Sequence, residues 1–194
     1  MVRTVKRCVW ANHDPQMREY HDKEWGNPIH DEQLLFEFLI LEGTQAGLSW
    51  STILQKRENF RNALDNFDYD KIAQYSEGKI ENLMDNKGII RNRLKIEAII
   101  ANAKAFLRVQ KEFGSFNKYI WKFVKYKPID HKFKELSELP SKTEISEKMS
   151  KDLKRRGFKF VGPTICYAFM QAVGMVNDHI IECFRYAEIS KRKD

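Results

Sequence analysis

The sequence predicts an all-α protein, on three observations. Apolar residues recur at spacings of three and four along most of the chain, no segment alternates with period two over a useful length, and capping or stopping residues stand where the periodic runs begin and end. Asp31 is placed to cap a helix in which Leu34, Phe38 and Leu41 share a face. Ser49 is placed to cap a second, running from Trp50 to about Leu64. Shorter helices are expected near 70–76 and 79–86. The longest runs from about Ile90 to Phe113, with Leu94, Ala98, Ala101 and Ala105 as its apolar stripe and Gly114 as its stop. Further helices are expected near 115–125 and 146–156, another from Pro163, and the last from near Asp178. The stretch 126–145, with Pro128, Pro140 and several Ser and Thr, reads as a loop carrying a short helix rather than a domain boundary. Residues 191–194 read as a solvated tail. With no repeat and no low-complexity linker, residues 1–194 are expected to form a single domain.

Composition narrows the class. The chain has 194 residues, 42% hydrophobic and 31% charged, which excludes a disordered protein. No apolar run approaches the roughly 18 residues of a membrane span. The basic start, Met1 to Arg7, lacks the apolar stretch of a secretion signal, so a cytoplasmic protein with no membrane anchor is expected. A net charge of +7 favours polyanionic partners, nucleic acid first, and equally suits a merely basic soluble protein. Three cysteines argue against a disulfide framework and exclude a four-cysteine iron–sulfur cluster within one chain.

Three constellations carry chemistry. Cys8 and His21 lie near one chain end, and His179 and Cys183, four apart on one face of an expected helix, near the other. Such a set suits tetrahedral zinc, and four protein ligands would close the shell, making the metal structural. Spacing alone leaves open a buried thiol and a capped histidine with no metal. The second constellation is Arg155-Arg-Gly-Phe-Lys-Phe-Val-Gly-Pro-Thr164. Gly157 suits a left-handed helix end, and Pro163 suits the first position of the next helix. The free N–H groups of that helix near Thr164, with Lys151, Lys154, Arg155, Arg156 and Lys159 around them, form an anion site able to grip a DNA phosphate. An ordinary helical hairpin with a solvated basic face fits equally well.

The third constellation is aromatic and acidic. Trp10, Tyr20, Trp25 and Trp50 fall within the first fifty residues at mostly non-helical spacing, as a stacking pocket or a satellite core would require. Glu42 follows the apolar end of a helix, where the macrodipole disfavours a carboxylate, so it either turns to solvent or is kept for a purpose. Gln45-Ala-Gly-Leu-Ser-Trp50 then makes a small-residue turn presenting Leu48, a residue type able to wedge into a base stack.

Together these residues resemble the type I 3-methyladenine DNA glycosylases. The likeness runs from about Arg7 to Tyr186. It is carried by Arg7-Cys-Val-Trp10, Tyr20-His-Asp-Lys-Glu-Trp-Gly26, Leu41-Glu-Gly-Thr-Gln-Ala-Gly-Leu-Ser-Trp50, Gly88-Ile-Ile-Arg-Asn-Arg93, Lys154-Arg-Arg-Gly-Phe-Lys-Phe-Val-Gly162 and Val176-Asn-Asp-His179. The resemblance implies a helix-hairpin-helix DNA-binding fold, the hairpin at about 146–174. It implies one structural zinc per chain on Cys8, His21, His179 and Cys183, stapling 8–21 to 179–183. It implies a base pocket of Glu42, Tyr20 and Trp50 with Trp10 nearby, a stack-probing loop at Gly47 and Leu48, and backbone contacts from Lys159, Gly162 and Thr164. One departure stands out: Met17 replaces a tyrosine found in many members.

The implied activity is flipping of 3-methyladenine out of alkylated duplex DNA and hydrolysis of its glycosidic bond, leaving an abasic site and free base. Glu42 would accept hydrogen bonds from the amino edge of a base made cationic by methylation and orient the attacking water. The superfamily's usual aspartate position holds Asn177, with Asp178 displaced by one, and its lyase lysine position holds Thr164. A monofunctional, monomeric glycosylase is therefore expected. A non-catalytic DNA-binding module would use the same hairpin but release no base. A zinc deaminase would need a Cys-x-x-Cys pair, which this chain lacks.

Overall fold

The computed structural model describes residues 5–12 and 14–191, so part of the basic start and residues 192–194 of the expected tail lie outside the described residues. The expected all-helical character holds. The chain runs α1 (Pro15–Lys23), α2 (Glu32–Gln45), α3 (Trp50–Ala63), α4 (Tyr69–Ile72), α5 (Glu77–Asp85), α6 (Arg93–Phe113), α7 (Phe116–Trp121), α8 (Glu144–Arg155), α9 (Pro163–Ala172) and α10 (Phe184–Ser190). Among the described residues only two short strands appear, β1 (Ile129–Asp130) and β2 (Val176–Asn177), paired in parallel. Two residues each are too few for an alternating pattern to be read in sequence. Their pairing ties the loop 126–145 to the segment after α9.

The caps act as expected. The Asp31 carboxylate accepts from Leu34 N at 2.9 Å and the Ser49 hydroxyl from Thr52 N at 3.2 Å. Gly114 ends α6 at φ 83°, where a side chain would be strained. Helix α1 was not legible, because Arg18, Glu19 and Lys23 interrupt its apolar face. Its start rests on Asp14, which accepts from Met17 N at 2.7 Å, and on Pro15 in the first turn.

Three expectations need correction. Helix α6 begins at Arg93 rather than Ile90, and Leu94 is 69% exposed. Of the expected stripe, Ala98 and Ala105 are buried, and Ile96, Ile99, Ala103, Phe106 and Val109 beside them make the buried face wider than that stripe. Leu34 is likewise on the open side of α2, whereas Phe38 and Leu41 are buried. Finally, the last helix starts at Phe184, so His179 and Cys183 sit in an irregular turn and do not share a helix face.

Helix α2 runs through the core, buried from Leu35 to Thr44. Phe36 meets Phe106 of α6 edge to face at 5.2 Å, and Phe106 stacks on Phe116 of α7 at 4.2 Å. Arg57 of α3 joins Glu37 of α2 at 2.5 Å and Glu24 beyond α1 at 2.6 Å, which satisfies a buried cation. The segment after α1 lies against the end of α9: Gly26 N donates to Gln171 O and Ile29 N to Val173 O, both at 3.1 Å. At Gly174, φ is 70° and an added Cβ would meet the carbonyl carbon of Asn27 at 2.3 Å. Gly174→Ala is expected to cost at least about 3 kcal/mol, since backbone strain and a backbone clash add. Chemical denaturation would show it, and a loss under about 1 kcal/mol would mean the two segments separate easily.

Candidate active site

Helices α1, α2, α3 and α9 enclose a cavity of about 260 Å³. The expected pocket residues meet there: Trp10, Tyr20, Glu42 and Trp50 all line it, and Met17 lines it with them. The walls are aromatic. Tyr20 lies 5.3 Å from Trp50 and 6.4 Å from Trp10, ring centre to ring centre, and Trp10 meets Trp25 edge to face at 5.0 Å. Tyr20 sits on α1, Trp10 in a short 3₁₀ turn before it, Trp25 in the turn after it and Trp50 at the first position of α3, so the four aromatics reach the site from separate segments.

Glu42 does not turn to solvent. It is 3% exposed, one turn before the end of α2, and its Oε2 has no hydrogen-bond partner. Burial alone pushes its carboxyl up to about 8. Trp50 Nε1 is also buried and unpartnered. An orphaned acceptor and an orphaned donor beside an aromatic-walled cavity await a polar ligand with a flat apolar body. Burial, then the neighbouring Glu42 charge, raise the Tyr20 phenol well above its ordinary range, so it stays neutral.

The turn after α2 carries Gly47, at φ 82°, and Leu48, 39% exposed. Lys95 of α6 fixes this turn by donating to Thr44 O at 2.9 Å and Ala46 O at 2.7 Å, which satisfies carbonyls left open at the helix end.

Helices α8 and α9 pack side by side across a turn in which Gly157 has φ 95°. Asn102 of α6 clamps both backbone groups of Lys159, at 2.7 and 3.1 Å, and Ser150 holds Val161 O at 2.6 Å. Gly162 caps α9 with no side-chain contribution and Pro163 fills its first position. Thr164 is exposed in that first turn, and a Cβ added at Gly162 would meet nothing within 4 Å. The expected ring of five cations is reduced. Arg155 is paired with Asp152, and Arg156 is tied to Asp152 at 2.9 Å and Glu112 at 2.7 Å. Lys151, Lys154 and Lys159 are exposed and make no ion pair among the described residues.

The four expected metal ligands are buried together. Cys8, His21, His179 and Cys183 have their donor atoms within 4.8 Å of one another and could hold a metal ion. Three edges of the cluster measure 3.4–3.6 Å between sulfur and nitrogen. Tetrahedral zinc, with bonds of about 2.0 Å to nitrogen and 2.3 Å to sulfur, gives sulfur–nitrogen edges of about 3.5 Å. The free ring nitrogens are occupied: His21 Nδ1 meets Asp22 at 2.8 Å, and His179 Nε2 donates to Trp25 O at 3.1 Å. Arg7 in turn clamps Asp22. Hydrogen bonding from Cys8, then from the two histidines, pulls the Cys183 thiol far down, so it is the thiolate of the pair. Tyr20 and His21 are neighbours on α1, one lining the cavity and the other in the cluster.

Asn177 and Asp178 take no place in the cavity lining. Asn177 donates to Ser190 Oγ at 3.1 Å. Residues that sequence reasoning did not assign to the pocket are Gln45, Leu139, Ala168 and Gln171. Gln45 and Leu139 gave only weak signals, one in the small-residue turn and one in the loose loop; Ala168 and Gln171 gave none.

Comparison with known proteins decides the lineage. The family model for methyladenine glycosylases matches residues 10–186. The chain belongs to this family. The DNA-3-methyladenine glycosylase 1 of Escherichia coli K12 is 50% identical to it over 182 residues, 94% of this chain and 97% of the relative. A crystal structure of 3-methyladenine DNA glycosylase I, also 50% identical, superposes with a TM-score of 0.90 and covers 92% of this chain and 98% of its own. A further structure of such an enzyme, a tyrosine-to-phenylalanine variant in complex with 3-methyladenine, is 37% identical, with a TM-score of 0.89, covering 92% of this chain and 96% of its own. Family membership thus rests on nearly the whole chain. Among the described residues, no helix is long and apolar enough to cross a membrane.

Proposed function

We propose that this protein excises 3-methyladenine from alkylated duplex DNA by hydrolysis, as a single-domain, cytoplasmic monomer that releases the free base and leaves an abasic site. The observation that carries the reading is the unpartnered Glu42 carboxyl inside an aromatic-walled cavity. A methylated adenine in DNA is cationic, planar and apolar on its faces. Tyr20, Trp50 and Trp10 supply stacking surfaces. Glu42 supplies an acceptor for the amino edge and, once a cation enters, a counter-charge that favours its own ionisation. The base leaves neutral, so no general acid is required. Glu42 would also orient the water that attacks the sugar.

The α8–turn–α9 unit would act as a helix-hairpin-helix, with Lys159, the Gly162 backbone and Thr164 at the N-terminus of α9 meeting a phosphate. Leu48, raised on the Gly47 turn, would fill the gap left by the flipped base. Zinc on Cys8, His21, His179 and Cys183 would hold the chain ends together and take no part in the chemistry, since four protein donors leave no open position. With Asn177 and Thr164 at the superfamily's acid and lysine positions, strand cleavage is not expected.

Incubating the protein with methylated duplex DNA and identifying the released bases tests this. Free 3-methyladenine should appear, with abasic sites that break only on alkali treatment. Release of no base would defeat the reading, and borohydride trapping of a covalent complex would defeat the monofunctional part.

A further inference from the structure

Beside the cavity lies a polar cluster that the mechanism above does not use. Asp178 is 1% exposed, and three donors converge on its carboxylate: His131 Nδ1 at 2.6 Å, Tyr167 OH at 2.5 Å and Gln171 Nε2 at 2.8 Å. Of these, Gln171 lines the cavity. It lies in the last turn of α9, and its backbone carbonyl is pinned by Gly26 N at 3.1 Å and Gly174 N at 3.3 Å.

An amide side chain ordinarily turns either end toward a ligand, since one end accepts and the other donates. A carboxylate only accepts, so Asp178 can be faced only by the Gln171 NH₂ group. That leaves Oε1 as the end available to a ligand, and no donor among the described residues reaches it. Gln45, the other amide lining the cavity, has no side-chain partner that sets its orientation among the described residues. We infer that Gln171, held by Asp178 with its carbonyl oxygen left for the cavity, selects the base by accepting a hydrogen bond from an exocyclic amine.

The inference deepens the proposed excision of 3-methyladenine and rests on it. An exocyclic amine carries two N–H bonds, and Glu42 on α2 and Gln171 on α9, both lining the cavity, can accept one each. Guanine methylated at the same ring nitrogen carries a carbonyl where adenine carries the amine. An amide locked with its oxygen toward that carbonyl meets it acceptor to acceptor, and a buried mismatch of this kind discriminates more strongly than a missing contact. Asp178 is then a positioning residue, acting on the base only through Gln171.

The experiment uses the whole protein and DNA bearing both 3-methyladenine and 3-methylguanine, and reads the ratio of the two release efficiencies. Gln171→Met keeps the size of the side chain and removes both polar ends. It should lower the adenine-to-guanine ratio about tenfold, the factor expected for one good hydrogen bond. Asp178→Asn should lower the ratio similarly by freeing the amide to flip, and combining the two should add no further loss. Melting temperature and metal content report folding, and Gln171→Met decides the matter if Asp178→Asn does not fold. A ratio within twofold of wild type in Gln171→Met overturns the inference while leaving excision intact. Failure of the wild-type protein to release any base removes the underlying function first.

Discussion

Glu42→Gln is expected to lose most excision activity and, at alkaline pH, to gain stability. The glutamine keeps the shape but cannot carry a charge, so the cationic base loses its counter-ion. A charge-assisted contact of this kind is worth roughly 1.5–3 kcal/mol, which predicts a fall in kcat/KM of between about tenfold and a few hundredfold. The stability change runs the other way. The native carboxyl titrates at about 8 and an exposed one at 4.5. The folded state therefore holds a proton that the unfolded state releases, and stability falls as pH rises from about 4.5 to about 8. The cost at the upper end is on the order of a few kcal/mol. Thermal melts of both proteins at pH 5 and pH 8.5 should converge at the lower pH and separate at the higher, with the glutamine variant above. Equal melting temperatures at both values would mean that the Glu42 proton is not held by burial, and near wild-type excision would remove this residue from the centre of the reaction.

The second large effect is expected at the cysteine–histidine cluster. Cys183→Ala should abolish tight binding of one zinc per chain and lower stability by at least about 3 kcal/mol, since three buried polar donors lose their common partner. Excision should fall with it, although no cluster residue lines the cavity. The route is short: Trp10 lies edge-on to His21 at 5.2 Å and to Trp25 at 5.0 Å, and Trp25 lies edge-on to His179 at 4.6 Å. Releasing the cluster loosens the pocket wall. Metal analysis alongside urea unfolding checks this, and retention of one tightly bound zinc would show that the ligand set is wrong.

Local signals made much of this legible in advance. Asp31, Ser49, Gly114 and Pro163 mark element ends through their own backbone chemistry, and each does so in the structure. Glu42 stood out as a carboxylate at the apolar end of a helix, and Trp10, Tyr20 and Trp50 as aromatics crowded into the first fifty residues at mostly non-helical spacing. What stayed hidden depends on contacts made across the fold. Where α6 is covered is decided by α2, α4, α5 and α7, so Leu94 continued the apolar stripe in sequence yet stands exposed. Arg156 looked like a phosphate ligand until Asp152 and Glu112 were found to hold it. Gln171 is an ordinary helix residue in sequence and acquires a fixed orientation only when Asp178 meets it.

All three cysteines, Cys8, Cys166 and Cys183, are buried. Thiolates are among the strongest nucleophiles in a cell, and the electrophiles that methylate adenine would methylate them too. A repair protein must keep working during the chemical attack that creates its substrate. Here the soft nucleophiles are closed off from solvent, and Cys166 is further disarmed by burial that pushes its thiol up to about 12. The molecule should therefore outlast an alkylating dose that inactivates proteins with open thiols.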